Sequence, residues 1–303
     1  MDLNFNKFAV LCTSFFENLG IITPLRLIRI KYFLKFRRSL LIHNPKNLNE
    51  KIIWLSFNTD TSIWTTLADK YKVRKYVQEC GLEELLVKLY DVYNNPDEID
   101  FDKLPQSFVL KTNNGCGSIY LVKDKQKLNI VDVKQKLNKW LKKPFGLMSA
   151  EPHYRRIKPC IIAEEYLVEN NSFSSSLVDY KFWCFNGEPY YVLTVCNRDT
   201  EKHRIDLNLY EPKNWVQKSD YISDSFRNNI SIPQPQKLQE MIEAARILSK
   251  SFPQVRVDFY EVNGKVYFGE MTFTSNGGLM KYFTEECLLE MGRKIDLDKI
   301  KTA

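Results

Sequence analysis

The stretch VRVDFYEVNGKVYFGEMTF, Val255–Phe273, reads as two β-strands around a tight turn. Residues 254–261 and 265–273 are rich in β-branched and aromatic side chains, and Asn263–Gly264 between them is a hairpin signal. Side chains alternate along a strand, so Arg256 and Asp258 share one face while Val255, Val257 and Phe259 take the other. On the second strand Glu270 and Thr272 share a face. Glu270 stands in an otherwise apolar run (Val266, Tyr267, Phe268, Met271, Phe273), where a carboxylate is costly unless it binds something. Two carboxylates and a hydroxyl oxygen beside an arginine suit one or two Mg²⁺ ions bridging nucleotide phosphates. The bland alternative is a surface hairpin with an Arg–Asp pair on its wet side.

The register imposes a condition on the first reading. A two-residue turn pairs Val262 with Lys265 and sets Asp258 opposite Gly269, which leaves Asp258 and Glu270 on different faces. Shared metal binding requires an odd-length connection or a bulge. The expected place is 263–265, where Gly264 accepts a positive φ.

Upstream, FVLKTNNGCGSIYLVK (108–123) places Asn113, Asn114, Gly115, Cys116, Gly117 and Ser118 between two strand-like runs. Glycines let backbone N–H groups approach phosphate oxygens, and Lys111 at the mouth of the loop adds a point cation. The loop is neither a GxxxxGK[ST] phosphate loop nor a GxGxxG turn, and a plain hairpin accounts for two nearby glycines equally well. IIAEEYL (161–167) ends an apolar strand on two adjacent carboxylates, Glu164 and Glu165, which point to opposite faces. In a nucleotide site, this backbone would pair with the adenine edge and a carboxylate with the ribose; solvent exposure is the equal alternative.

The wider pattern is α+β. Helical spacing marks 1–40 (Phe5, Phe8, Leu11, Phe15, Phe16, Leu19), 67–81, 131–142 and 236–251. Strand patterns mark 106–111, 118–123, 159–166, and 179–185 with 188–195 around Asn186–Gly187, whereas 196–233 reads as irregular and polar. Hairpins alternating with helices argue against a doubly wound parallel sheet. Arg26, Arg29, Lys31, Lys35, Arg37 and Arg38 make a basic amphipathic segment that suits a membrane surface or, more simply, a helix packed on the core with a solvated basic face.

The composition is that of a globular chain. Forty-four per cent of the 303 residues are hydrophobic and 27% charged, with aromatic residues too frequent for extended disorder. No apolar run reaches the length of a membrane span, and the first residues lack the basic start and cleavage site of a signal peptide. Seven cysteines without CxxC spacing fit reduced thiols in the cytoplasm better than disulfides or zinc. The net charge of +7 suits nucleotide, a polyanion or an anionic membrane and selects none; no basic–aromatic platform for nucleic acid is present. No Ser-His-Asp or Cys-His arrangement appears, and His153, in EPHYRR, reads as structural before it reads as a group acting on an acceptor.

Five segments together, NPKNLNEKIIWL (44–55), ADKYKVRKYV (68–77), LPQSFVLKTNNGCGS (104–118), DYKFWCFNGEP (179–189) and VRVDFYEVNGKVYFGEMTF (255–273), resemble the TupA-like ATP-grasp family over about Tyr32–Leu297. The resemblance implies an ATP-grasp fold, two α+β subdomains clamping ATP at about 61–175 and 176–303, after an N-terminal helical segment, 1–60. It implies ATP and Mg²⁺ as cofactors and a carboxylate–amine ligase acting through an acyl phosphate. Lys111, with Lys72 or Lys70 as a second lysine, would bind phosphates under the loop of Asn114, Gly115, Gly117 and Ser118. Glu164, Glu165, Tyr166 and Leu167 would form the adenine and ribose hinge, with Lys181 a further site lysine. Asp258, Glu270 and Thr272 would hold Mg²⁺, and Arg256 would face the acyl phosphate. Thr272 stands where many ATP-grasp enzymes have Asn, and Ser275–Gly278 where they often have Pro-Gly. The implied substrates are a carboxylate-bearing saccharide of a capsule or other surface polysaccharide and an amine donor. Glycosyltransferases of the same pathway are implied partners, in the cytoplasm or on the inner face of the membrane through residues 1–40. A sugar-hydroxyl kinase and a non-catalytic nucleotide-binding module remain alternatives.

Overall fold

The computed structural model describes residues 20, 22–169, 172–199 and 204–302. Strands β1 (Leu89–Tyr93), β2 (Phe108–Thr112), β3 (Ile119–Val122) and β4 (Ile161–Glu165) form a four-stranded sheet in the order β1-β4-β2-β3. Strands β5 (Asp179–Phe185), β6 (Glu188–Asp199), β7 (Arg204–Glu211), β8 (Val216–Gln217), β9 (Val255–Val262) and β10 (Lys265–Thr272) form a six-stranded sheet in the order β10-β9-β5-β6-β7-β8. Paired neighbours in both sheets are antiparallel, which makes the fold α+β.

Helices α1 (Pro24–Phe36), α2 (Leu48–Asn58), α3 (Ser62–Leu67), α4 (Val73–Glu79), α5 (Ile130–Leu141), α6 (Pro152–Arg155), α7 (Leu238–Ser249) and α8 (Glu285–Arg293) cover these sheets. Helix α7 lays Met241, Ala245 and Leu248 on Phe182, Val257 and Phe259 of the larger sheet. The other face of that sheet packs Trp183, Leu193 and Leu209 against Leu48 and Ile52 of α2 and Leu288 and Met291 of α8. Helix α5 covers the smaller sheet with Val133 and Leu137. Local signals start these helices: Asn47 and Glu50 form a reciprocal cap on α2, and the Thr284 hydroxyl accepts the Cys287 N–H at the start of α8.

Several expected elements change. The part of 1–40 that is described is helical only over α1, which stops where Arg37 turns left-handed at φ 57°; Phe5 to Leu19 lie outside the described residues. Helix α1 buries Leu27, Ile28 and Tyr32 against Ile53, Ala150 and Leu279, so its apolar side is a packing face. Of the helix expected over 67–81 only Val73–Glu79 (α4) is helical, since α3 ends at Leu67. The Asp69 carboxylate takes the N–H groups of Tyr71 and Lys72, which turns the chain between α3 and α4. Trp64, Leu67, Val73 and Val77 then pack in the core of the larger sheet. The sequence patterns mark none of β1, β7 and the two-residue β8. Asp91 interrupts the apolar pattern of β1, and in β7 the polar Asp206 and Asn208 are buried where a strand face normally carries apolar groups. No described helix is long and apolar enough to cross a membrane.

Candidate active site

The β9–β10 hairpin satisfies the register condition in an unexpected place. Asn263 and Gly264 form a regular two-residue turn with φ 52° and 72°, and Val262 pairs with Lys265. The irregularity comes five residues later. Phe268 faces Phe259, then Glu270 faces Asp258, and Gly269 is the extra residue. The bulge rotates Glu270 off the apolar side and onto the side of Arg256 and Asp258, while Met271 and Phe273 join Val266 and Phe268 in the core. A Cβ on Gly269 would lie 3.1 Å from the Asp258 carbonyl oxygen and 3.1 Å from the Tyr260 ring, so a side chain here would have to press the Asp258 backbone or the Tyr260 ring aside. The switch from even apolar positions (266, 268) to odd ones (271, 273) was the sequence signal for it.

Three predicted metal-ligand oxygens converge here. Arg256 Nη2 donates to Asp258 Oδ2 at 2.7 Å, Glu270 Oε1 at 2.8 Å and Thr272 Oγ1 at 3.0 Å. Its Nε donates to Asp258 Oδ1 at 2.7 Å, and its Nη1 to Ser275 Oγ at 3.0 Å. Two carboxylates and a hydroxyl thus already surround one cationic point. Hard oxygens of this kind are the donors that Mg²⁺ takes, so Asp258, Glu270 and Thr272 are the residues that would hold it. Among the described residues no group of three or more His, Cys, Asp or Glu side chains that could hold a metal ion occurs.

Cations surround the pair. Lys181 of β5 reaches Asp258 Oδ2 at 2.5 Å and Asp179 at 3.6 Å, and Arg198 reaches Asp179 at 2.5 Å. Lys70 lies 4.0 Å from Glu270 Oε2. Burial opposes the charge on Glu270, but Lys70, Arg256 and Lys181 outweigh it and hold its pKa down to about 2. Burial also lowers the pKa of Lys70, against the pull of Glu270. Three tyrosines unmarked by the sequence reading face this charge: Tyr154, Tyr260 and Tyr282 are all raised, Tyr154 and Tyr282 chiefly by burial and Tyr260 first by Asp179.

The smaller sheet contributes the glycine loop. Lys111 on β2 pairs with Glu164 on β4 at 2.5 Å, and Arg74 of α4 approaches the same carboxylate at 3.4 Å. Asn113 pins the loop, taking the Cys160 N–H on its side chain and the Lys70 N–H on its carbonyl. Gly115 and Gly117 adopt φ 84° and 77°. A Cβ at Gly115 would collide with the Phe145 ring, which lies directly over the loop. The Lys70 ammonium donates to the Gly115 carbonyl, so Lys70 connects this loop to Glu270 on the other sheet. Buried Asn114 Oδ1 and Thr112 Oγ1 have no hydrogen-bond partner among the described residues, as expected of a loop shaped for a ligand.

The expected residues divide accordingly. Arg256, Asp258, Glu270, Thr272 and Lys181 form one cluster; Lys111, Asn114, Gly115, Gly117, Ser118 and Glu164 form the facing one. Lys72 does not join them: its side chain is exposed at the start of α4, and Lys70, two residues earlier, enters the site. The Glu164 carboxylate is engaged by Lys111 and Arg74, while Glu165 is half-buried with its N–H on the Lys88 carbonyl. Tyr166 and Leu167 follow in the chain that leaves β4 for the larger sheet. His153 is buried between Trp64 and Tyr154, both ring nitrogens lack partners among the described residues, and burial drives its pKa down to about 3.

The model of the TupA-like ATP-grasp family matches residues 50–296. The chain belongs to this family. Its two antiparallel sheets, with the glycine loop facing the Asp258–Glu270 pair, are the ATP-grasp fold, and family membership makes this an ATP-binding protein. Among solved structures, it is similar to the D-alanine–D-alanine ligase of Bacillus anthracis complexed with ATP (14% identity, TM-score 0.48, 80% of this chain and 70% of that one). It is also similar to the Helicobacter pylori D-alanine–D-alanine ligase (13%, TM-score 0.43, 83% and 67%) and to the L-amino acid ligase of Bacillus licheniformis (12%, TM-score 0.48, 83% and 55%). The family assignment rests on the family match and not on these distant likenesses. No curated protein gives a significant match.

Proposed function

We propose that this TupA-like ATP-grasp protein is an ATP- and Mg²⁺-dependent ligase that joins a carboxylate to an amine through an acyl phosphate, on a precursor of a surface polysaccharide. The observation that supports it best is the bulge at Gly269, which spends a strand irregularity to bring Glu270 opposite Asp258. A structural hairpin has no need of that. Asp258, Glu270 and Thr272 would hold Mg²⁺, which supplies charge neutralisation to the phosphates of the nucleotide. Lys70, bonded to the Gly115 carbonyl, and Lys111, on the strand that enters the loop, would hold the triphosphate beneath it. A substrate carboxylate oxygen attacks the γ-phosphorus, the bond to the β,γ-bridging oxygen breaks, and ADP leaves. Arg256, already oriented by Ser275, stabilises the acyl phosphate. The amine nitrogen then attacks the acyl carbon, phosphate departs with the carbon–oxygen electron pair, and the nitrogen gives up its proton. No protein nucleophile is needed.

The test is a screen of uronic acids and amino acids for ATP-dependent turnover, with the nucleotide product identified and hydroxylamine present as a trap. ADP, phosphate and a hydroxamate are expected. AMP and pyrophosphate would refute the acyl-phosphate route, and ADP release with a sugar phosphate and no hydroxamate would make the protein a kinase.

A further inference from the structure

The net charge of +7 is concentrated in one place. Residues 22–49 hold seven Lys and Arg and no Asp or Glu, so this segment carries a charge equal to that of the whole chain, and the remainder is neutral in sum. Six of the seven lie between Arg26 and Arg38, on α1 or just past its end. The helix sorts its side chains by face. Leu27, Ile28 and Tyr32 pack into the core with Ala150 and Leu279, and the Lys31 ammonium turns onto the Met148 carbonyl. Arg26, Arg29, Ile30, Phe33 and Arg37 fall at the spacing of a single helix face, which sets them along one outward stripe. Arg26, Arg29 and Arg37 are exposed, and Phe33 is 51% exposed. Leu40 and Ile42 join the core beneath α1, whereas Leu41 between them is 53% exposed. Of the basic side chains in 22–49, Arg38 alone forms an ion pair among the described residues, with Glu285 at 2.7 Å.

Water satisfies a row of arginines, and a helix packed on the core needs no more than that on its outer side. It gains nothing from a phenylalanine and a leucine held open beside unpaired arginines. Basic groups that meet anionic headgroups, with apolar groups that enter the boundary beneath them, are what a helix lying on a bilayer presents. The aliphatic Ile30 and Leu41 favour lipid over nucleic acid, whose bases stack on aromatic rings. No described helix is long and apolar enough to cross a membrane, so the contact these groups make is peripheral.

We propose that the outward stripe of α1, together with Leu41, docks this protein on an anionic membrane surface. The arginines meet the lipid phosphates, and Phe33 and Leu41 enter the headgroup boundary. This goes beyond the ligase reading and does not depend on it. The buried face of the same helix rests on Ala150 and Leu279, and Ser275, four residues before Leu279, holds Arg256 Nη1. Docking through α1 would therefore keep the candidate active site close to the bilayer.

The test is co-sedimentation of the full chain with vesicles of phosphatidylcholine, with and without phosphatidylglycerol, at low and high salt. Binding to the phosphatidylglycerol vesicles alone is expected, weakened by salt. Arg26→Gln/Arg29→Gln/Arg37→Gln is expected to weaken it by about tenfold or more, since each basic side chain at an anionic surface contributes roughly fivefold. Phe33→Ser/Leu41→Ser keeps the charge and is expected to weaken binding by about threefold or more. A charge-matched control, Lys75→Gln/Lys103→Gln/Lys127→Gln, at exposed sites elsewhere, is expected to bind as the parent does. Every replaced side chain is exposed, and an unchanged Tm by circular dichroism shows each variant folded. The single variants Arg29→Gln and Phe33→Ser serve where a multiple one does not fold. No preference of the parent for anionic vesicles overturns the proposal, as does equal loss in the control or full binding by the Phe33/Leu41 variant. Binding to single-stranded DNA or to polyglutamate without binding to vesicles overturns it too, and makes the stripe a nucleic-acid or acidic-protein surface.

Discussion

Replacing Lys111 with alanine separates a structural role from a nucleotide role. Lys111 Nζ lies 2.5 Å from Glu164, which keeps Arg74 at 3.4 Å as its second cation. Removing one partner of a buried pair costs about 3–5 kcal/mol when the remaining charge is left alone. Arg74 stays, so a loss of about 1–3 kcal/mol is expected, or roughly 2–10 °C in Tm for a chain of this class. A lost contact to a charged phosphate removes about 1.5–3 kcal/mol more from the transition state, roughly a 10- to 150-fold drop in kcat/KM. The double variant Lys111→Ala/Glu164→Gln takes away the orphaned charge as well. Its stability is expected to return most of the way to the parent value while its activity stays low. Thermal denaturation by circular dichroism and a coupled assay of ADP release measure the two quantities. Activity of Lys111→Ala within about threefold of the parent would refute the nucleotide role, and so would recovery of activity together with stability in the double variant.

Gly269→Val is expected to lower Tm by several degrees and to weaken Mg²⁺-dependent ATP binding, read by calorimetry, because its Cβ meets the Asp258 carbonyl at 3.1 Å. Deleting Gly269 leaves Glu270 opposite Asp258 and should harm that binding less; the reverse order would contradict the bulge argument. His153, with a folded pKa of about 3 against an ordinary 6.5, contributes stability that is complete above pH 6.5 and is lost as pH falls toward 3. Urea unfolding at pH 4.5 should therefore show about 2–3 kcal/mol less stability than at pH 7 from this residue, and His153→Phe should remove that part of the loss. Metal-free protein is expected to keep its fold but lose its tight ATP binding, since Arg256 already bridges Asp258 and Glu270. Unfolding on chelation would make the metal structural.

What the sequence determined by itself was local. Strand alternation, the Asn186–Gly187 and Asn263–Gly264 turns and the glycine loop after Lys111 depend on neighbours a few residues apart, and they stand where they were expected. Family order then assembled the site from separate strands. Only the tertiary structure decided which lysine enters it. Lys70 and Lys72 are equivalent as sequence, but the Asp69-capped turn points Lys70 at Gly115 and leaves Lys72 exposed. The same holds for the Glu164–Arg74 contact and the Asp179–Lys181–Asp258 chain, whose energies depend on burial and on partners far away in the chain. The bulge lies between these cases. The need for one followed from strand parity, which is local. Its position at Gly269 was set by where Met271 and Phe273 had to return to a core shared with α7, and that requirement exists only once the sheet is packed.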